Sequence, residues 1–485
     1  MTRAGTGDPM LIDGRRAEVL DRHNLCDVTN LPRITASCLG DAQFKADYGT
    51  QFAYIAGAMY KGIASKDMVV ALARAQLIGY LGTGGLTLAQ IESNIRDIQA
   101  AVPADRSYGM NLLSDPSHAD LEERTVDLFC RYGIRFVEAA AYIQMTPSLV
   151  RYRLNGIKHG PNGCIDVPHR VLAKVSRVEV ATAFMQPAPK SLVQRLVYTG
   201  LLTAAEADLS QFVPMADDIC VEADSGGHTD RGVASVLMPA ILSLRDEMIS
   251  RHSYRRKIRV GAAGGIGTPE AAAAMFVMGA DFILTGSINQ CTVEAGTSVS
   301  VKEILESATV HDMTYAPAGD LFELGAKVQV LKKGIFFAAR ANKLYELYQK
   351  YSSIDEIDEP SKRQLEDKYF KRTLDDIWEE TKAYHCRDGR KTVVELERSQ
   401  KQKMALIFRW YFAHTTRAAI DGKEEYRLDY QIHCGPALGA FNQWVRGTDI
   451  ASWRDRHVAD IARRLLDATA DLLNKRFALF ANATL

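Results

Sequence analysis

Between residues 52 and 284 the sequence repeats one pattern. A short apolar run leads into a glycine-rich or polar turn, and most turns lead into apolar residues at helical spacing. The runs lie at 52–56, 78–81, 107–112, 136–140, 171–175, 219–223, 259–263 and 282–284. Continuous apolar runs alternating with helices predict parallel strands, which are buried on both faces and need helical crossovers. Eight such units at fairly even spacing predict closure of the sheet. An open, doubly wound sheet is the rival. Polar or glycine-rich groups follow nearly every run, as expected when all the loops build one mouth. That favours an α/β chain with a (β/α)8 TIM barrel.

The last two units carry the strongest chemical signal. Gly264, Gly265, Ile266 and Gly267 follow the seventh run, and Thr285, Gly286 and Ser287 follow the eighth. Thr268 is a candidate N-cap and Pro269 a candidate first helical residue. Glycines allow close backbone approach, and amides at such strand ends can hold an anion. In a (β/α)8 barrel the turns after strands seven and eight are a frequent phosphate site. The alternative is that these glycines only close tight turns.

Further candidates end other runs. Glu222, Asp224, Gly226, Gly227 and His228 follow the sixth. A histidine there can exchange protons near neutrality, or can simply bond a carbonyl. Asn111, Glu138 and Lys174 are polar residues in apolar runs three, four and five. They are either ion pairs inside the barrel or ligand contacts. An amide such as Asn111 can meet the edge of a planar heterocycle, and Lys174 can stabilise an anionic reduced flavin. Gly57, Ala58 and Met59, with Gly82 to Gly85, form turns against which a flat ring can lie.

Beyond the barrel, the sequence predicts two helices over 321–351 broken at Gly334, and a capping box at Ser353 and Glu356. A charge-dense amphipathic region (360–402) and a last helix (459–478) make this third all-α. The divisions are a lead-in over 1–49, a barrel over 50–310 and a helical substrate or lid domain over 311–485.

Lys+Arg 59 against Asp+Glu 59 argues against a dedicated nucleic-acid binder. Eight cysteines without C-x-x-C spacing, no apolar signal core in 1–16 and no run of about twenty apolar residues predict a cytoplasmic protein off the membrane. The histidines lack metal-ligand spacing, so no metal is expected, and His414 and His433 read as structural. There is neither a G-x-G-x-x-G after the first run nor a P-loop.

Seven segments carry a resemblance: GAMYKGIAS (57–65), YGMNLL (108–113), VEADSGGHTD (221–230), GAAGGIGTPEA (261–271), FELGAKVQVLKKG (322–334), RANKLYELY (340–348) and LDYQIHCGPALGAFNQWV (428–445). The barrel resembles the flavin-dependent nitronate monooxygenase (2-nitropropane dioxygenase) and FabK-type superfamily. The full set resembles its PfaD-like branch, the trans-acting enoyl reductases of polyketide and polyunsaturated fatty acid synthases. His433 departs from the tryptophan expected in that branch.

The resemblance implies FMN in the mouth, NADPH as reductant and an enoyl thioester on an acyl carrier protein as substrate. Self-association to a homodimer is left open. Ala58, Met59, Asn111, Lys174, Asp224, Gly226, Gly227, Gly264, Gly265, Ile266, Thr285, Gly286 and Ser287 would bind the cofactor. His228 would supply the proton or orient the thioester carbonyl, with water or a tyrosine as alternatives. An acidic carrier protein could meet Arg255, Arg256 and Lys257, or Lys332 and Lys333. The rivals are a nitronate-oxidising flavoenzyme, an IMP dehydrogenase type, which needs a nucleophilic cysteine where Cys291 does not stand, and a non-catalytic barrel that docks a synthase.

Overall fold

The computed structural model describes residues 33–114, 119–387 and 392–482. The signal-core reading of 1–16 and the first 32 residues of the expected lead-in lie outside them. Eight parallel strands close into a barrel: β1 (Tyr54–Ala56), β2 (Ile78–Leu81), β3 (Gly109–Leu113), β4 (Phe136–Ala140), β5 (Arg170–Val175), β6 (Asp218–Glu222), β7 (Arg259–Ala263) and β8 (Ile283–Thr285). β8 pairs with β1 through Tyr54↔Ile283 and Ala56↔Thr285, which seals the sheet. The expected (β/α)8 barrel is therefore the fold, and the open sheet is excluded. Each strand lies within two residues of its predicted run. The apolar runs were legible because closure buries both faces of every strand.

Local chemistry sets the helix starts. Ser65 accepts from the Met68 amide and Thr268 from the Ala271 amide, and Pro269 is the first helical residue. These satisfy amides that the first helical turn leaves without partners.

The base of the barrel is plugged by the helix Ala42–Tyr48. Phe44 stacks on Phe282 and Tyr48 on Phe136, inside the barrel core. Beneath them lies a buried ionic network. Arg259 bonds Asp218 at 2.9 Å and Asp47 at 2.7 Å, Tyr48 donates to Asp218 at 2.7 Å, and Arg170 bridges Asp47 and Asp217. The end of the expected lead-in is thus part of the barrel. Its three apolar contacts were too few to show a period.

The extension departs from its all-α expectation at its start. Met313–Pro317 and Lys327–Leu331 form an antiparallel hairpin. The predicted first helix over 321–333 is therefore wrong. Val328, Val330 and their polar neighbours alternate with a period of two, and both valines are buried. Helix resumes at Phe337–Lys350, as expected beyond Gly334. The Ser353 capping box is also absent: the next helix starts at Glu359 with Asp358 as its cap, and Glu356 accepts from the Ser352 amide instead. A second hydrophobic core, from Ala316 to Phe412, fills the extension.

The last helix, Val458–Asn482, returns to the barrel. It packs against Pro269–Val277 and Lys66–Arg74, the helices flanking the β8–β1 seam. It occupies the slot of the eighth barrel helix. The barrel's share of the chain is therefore discontinuous, where the sequence reading draws one boundary at 310.

Removing one member of the base network should strand buried charge. Asp218→Ala is expected to cost about 3–5 kcal/mol. Urea unfolding would measure it, and a loss under about 1 kcal/mol would show that the network is not fully desolvated.

Candidate active site

The C-terminal ends of the strands form one mouth. The turn after β1 is set by packing: a Cβ on Gly82 would lie 1.6 Å from the Met59 carbonyl oxygen, so only glycine fits. The Ala58 amide donates to Glu138 Oε2 at 3.0 Å, so it is already engaged. Asn111 Nδ2 donates to the Glu138 carbonyl at 3.0 Å, and Thr83 Oγ1 donates to the Asn111 carbonyl at 2.7 Å. Lys174 Nζ lies 2.9 Å from Glu222 and 3.8 Å from Glu138. The ion-pair alternative for Lys174 and Glu138 is thus present. Burial opposes the ammonium charge, but Glu222 and Glu138 outweigh it and hold the Lys174 pKa above its usual value. Burial raises Glu138, against the pull of Lys174 and the Ala58 amide.

The turns after β7 and β8 form a cup. Gly264 and Gly265 have φ of 87° and 73°, in the left-handed region. A Cβ on Gly264 would lie 2.5 Å from the Ala223 carbonyl oxygen, whereas one on Gly265 or Gly286 would meet nothing within 4 Å. Among the described residues, the amides of Gly265, Ile266, Gly286 and Ser287 find no acceptor within the chain. The Thr285 hydroxyl shares a 2.6 Å hydrogen bond with Tyr54 and also accepts from Asn289, so it braces the cup. Converging free amides beside open space fit the phosphate of a cofactor.

A segment of the extension closes over this cup. Gly435 donates its amide to Ser287 Oγ at 3.0 Å, just before the helix Pro436–Trp444. A Cβ on Gly267 would lie 2.0 Å from the Ala437 carbonyl oxygen, and one on Gly226 would lie 2.8 Å from Cys434 and Gly435 backbone atoms. These glycines are there for the contact between barrel and extension. The sequence reading noted the 430–444 stretch without placing it here. Its Gly435-Pro436 pair was the available signal.

His228 stands on a two-residue strand, Gly227–His228, that pairs with Lys327–Leu331 through Val328↔His228 and Gln329↔Gly227. Asp224 accepts from Thr229 at 2.6 Å, from Gln329 at 3.0 Å and from the Tyr315 hydroxyl. It therefore ties the turn to the hairpin; its carboxylate is not left free for a cofactor. His228 Nε2 lies 2.8 Å from Asp320 Oδ1 on the hairpin's loop, and its side chain is half exposed.

His433 packs where the extension meets the barrel. It sits next to the His228 turn, 3.6 Å from where a Cβ on Gly227 would stand, and bridges to Val330. Burial, and then the charge of His228, pull its pKa down to about 4. Gln431 Nε2 lies 2.6 Å from its Nε2 while Gln431 Oε1 accepts from Thr416, so Gln431 donates and the neutral ring keeps its proton on Nδ1. His414 is packed as expected, stacked on Trp410.

Other candidates fall away from the mouth. Arg256 pairs with Asp47, and Lys257 with Asp281 and Asp41, at the base of the barrel. Cys291 is buried and its thiol pushed up to about 12, chiefly by desolvation, which removes it as a nucleophile. A cavity of about 370 Å³ lies elsewhere, lined by residues 306–311 and the helix Pro436–Trp444. Among the described residues, no helix is long and apolar enough to cross a membrane.

Comparison with known proteins agrees with this geometry. The sequence model described as nitronate monooxygenase matches residues 43–318, and that of the inserted helical domain of [acyl-carrier-protein] S-malonyltransferase matches 351–430. The chain is 56% identical over 443 residues to the polyketide biosynthesis protein PksE of Bacillus subtilis (strain 168), covering 91% of this chain and 57% of that protein. It is 53% identical over 449 residues to the polyketide biosynthesis protein ThaF of Burkholderia thailandensis, covering 92% and 38%. The chain thus spans little more than half of one curated relative and less of the other. The enoyl reductase domain of MlnA, from the macrolactin biosynthesis cluster of Bacillus amyloliquefaciens, superposes with a TM-score of 0.88 at 46% identity, covering 91% of this chain and 99% of that domain. The chain belongs to the nitronate monooxygenase family, in the branch that the MlnA enoyl reductase domain represents.

Proposed function

We propose that the chain is an FMN-dependent enoyl reductase. It uses NADPH to saturate the α,β double bond of enoyl thioesters carried by the acyl carrier protein domains of a polyketide or polyunsaturated fatty acid synthase. The observation that carries this reading is one barrel mouth that holds both a cup of free amides and an acid–histidine pair. Similarity to the MlnA domain over nearly its whole length supports it.

The amides of Gly265, Ile266, Gly286 and Ser287 would hold the FMN phosphate. Asn111, Met59 and Lys174 would lie toward the flavin ring. There Lys174, already charged by Glu222, supplies positive potential. FMN held there would supply a two-electron relay between the nicotinamide and the enoyl β-carbon. The balance is one enoyl thioester, one NADPH and one proton to one saturated thioester and NADP⁺. The carbon–carbon π bond breaks and two C–H bonds form. His228 delivers the proton to the α-carbon from the imidazolium and regains one from solvent. Pairing of His228 with Val328 and of Gly227 with Gln329 fixes the backbone, so the ring would be presented from a fixed strand. The extension walls the mouth and receives the carrier arm.

Nitronate oxidation is the second reading, favoured by the family match over residues 43–318. It requires oxygen and an alkyl nitronate and no NADPH.

The visible spectrum tests the cofactor. Oxidised-flavin bands, bleached by NADPH and restored by a crotonyl thioester, are expected; a colourless protein that takes up no FMN would sink the reading. Gly265→Asp places a carboxylate in open space at the cup. It should abolish FMN binding, while the melting temperature of the apo-protein falls only about 1 °C for ~1 kcal/mol of left-handed strain. His228→Gln should keep FMN and slow turnover ~10²-fold. Turnover at the wild-type rate in that variant would remove His228 from the chemistry.

A further inference from the structure

The barrel does not complete its own mouth. His228 belongs to the turn after β6, but its hydrogen-bond partner, Asp320, comes from the loop between the strands Met313–Pro317 and Lys327–Leu331. The strand that carries His228 and the strands that flank the Asp320 loop belong to the same sheet. Val328 pairs with His228, and the Thr229 amide donates to the Lys327 carbonyl at 3.3 Å. The loop also turns back on itself, with the Ala318 amide donating to the Ala326 carbonyl at 2.8 Å. We infer that Asp320 is a positioning residue that holds His228 in the mouth with its Nε2 proton in place. The inference rests on the reading of His228 as the proton donor.

The groups around His228 agree on the sign. Asp320 faces it from the hairpin loop, Glu222 from the end of β6 and His433 from the segment before Pro436. Glu222 is turned toward Lys174 at 2.9 Å, which blunts its effect on the histidine. His433 is neutral and offers no competing positive charge. Tyr60 stands near Asp320, and its hydroxyl is held in the neutral form by burial and by that carboxylate. Asp320 is therefore the strongest negative neighbour of His228. Burial disfavours the imidazolium, but the Asp320 hydrogen bond and charge outweigh burial and raise the His228 pKa. Asp320 in turn is depressed, since the His228 bond and charge exceed its own desolvation. The geometry fixes one more detail. With Nε2 bonded to Asp320, the ring leaves Nδ1 as its second position for contact with substrate or solvent.

The acid form is populated below the raised pKa, so activity that needs it falls as pH rises through that value. Without the carboxylate, the fall begins at lower pH. Asp320→Asn is therefore expected to lose about tenfold in kcat at pH 8 and less at lower pH, with KM for crotonyl-N-acetylcysteamine changed less than about twofold. Asp320→Glu should restore part of the loss. The second readout needs no substrate: the His228 ring resonances of the FMN-loaded protein, assigned with His228→Gln, should titrate at lower pH in Asp320→Asn than in wild type. An unchanged titration would overturn the inference. A shifted titration with an unshifted pH–rate profile would also overturn it, leaving the pair as a latch between barrel and hairpin. A shifted titration with full turnover in His228→Gln would instead defeat the proton-donor reading and keep the pair, so the two failures are told apart.

Discussion

The antiparallel pairing of Lys327–Leu331 with Gly227–His228 is the contact on which the rest of the mouth depends. It joins a loop of the barrel to a strand that belongs to the second hydrophobic core. Backbone pairing fixes register strictly, because a slip of one residue would turn every side chain to the other face. In this register Gln329 reaches Asp224, and the hairpin loop carries Asp320 to His228. The other end of the same strand edge accepts His433, and the Leu331 amide donates to the Ile432 carbonyl at 2.9 Å. Two distant segments, 227–228 and 431–433, thus lie end to end along one strand. The chemistry of the mouth is set by that alignment more than by any single side chain.

The glycines divide into two groups by what a side chain would meet. At Gly82, Gly226, Gly264 and Gly267 an added carbon would strike backbone, so these positions serve packing. At Gly265 and Gly286 it would enter open space beside unpaired amides. Only the second pair has the properties of a binding surface. A glycine-rich motif read as a string cannot make this distinction, since both groups are spelled alike.

Much of the barrel was legible because its strands obey a single rule, burial on both faces, and its turns carry glycine. The ends of the last two strands were legible for the same reason. What the sequence hid was longer in range. The plug helix Ala42–Tyr48 gains its role from stacking on Phe282 and Phe136, about two hundred and forty and about ninety residues away in sequence. The strand Lys327–Leu331 was mistaken for helix because its neighbours favour helix and its pairing partner, Met313–Pro317, has only weak alternation. Lys174 and Glu138 could be named as polar residues in apolar strands, but Glu222 as the nearer partner of Lys174 required the closed barrel. The contact of His433 with the His228 turn spans about two hundred residues, and no local pattern marks it.

The topology explains why the extension can hold side chains in fixed places at the barrel mouth. Residues between β8 and Val458 form the second core and the wall of the mouth, and the chain then returns to fill the eighth helical slot against Lys66–Arg74 and Pro269–Val277. An appendage joined at one end would swing on a single linker. A segment anchored at both ends, by β8 on one side and by a barrel helix on the other, loses most of that freedom before any side-chain contact forms. The Asp320–His228 hydrogen bond and the Gly435–Ser287 contact are then made between parts already held in place. Single polar contacts of this kind contribute little stability alone. They set geometry here because the covalent path has removed most of the entropy that ordering the two bodies would otherwise cost.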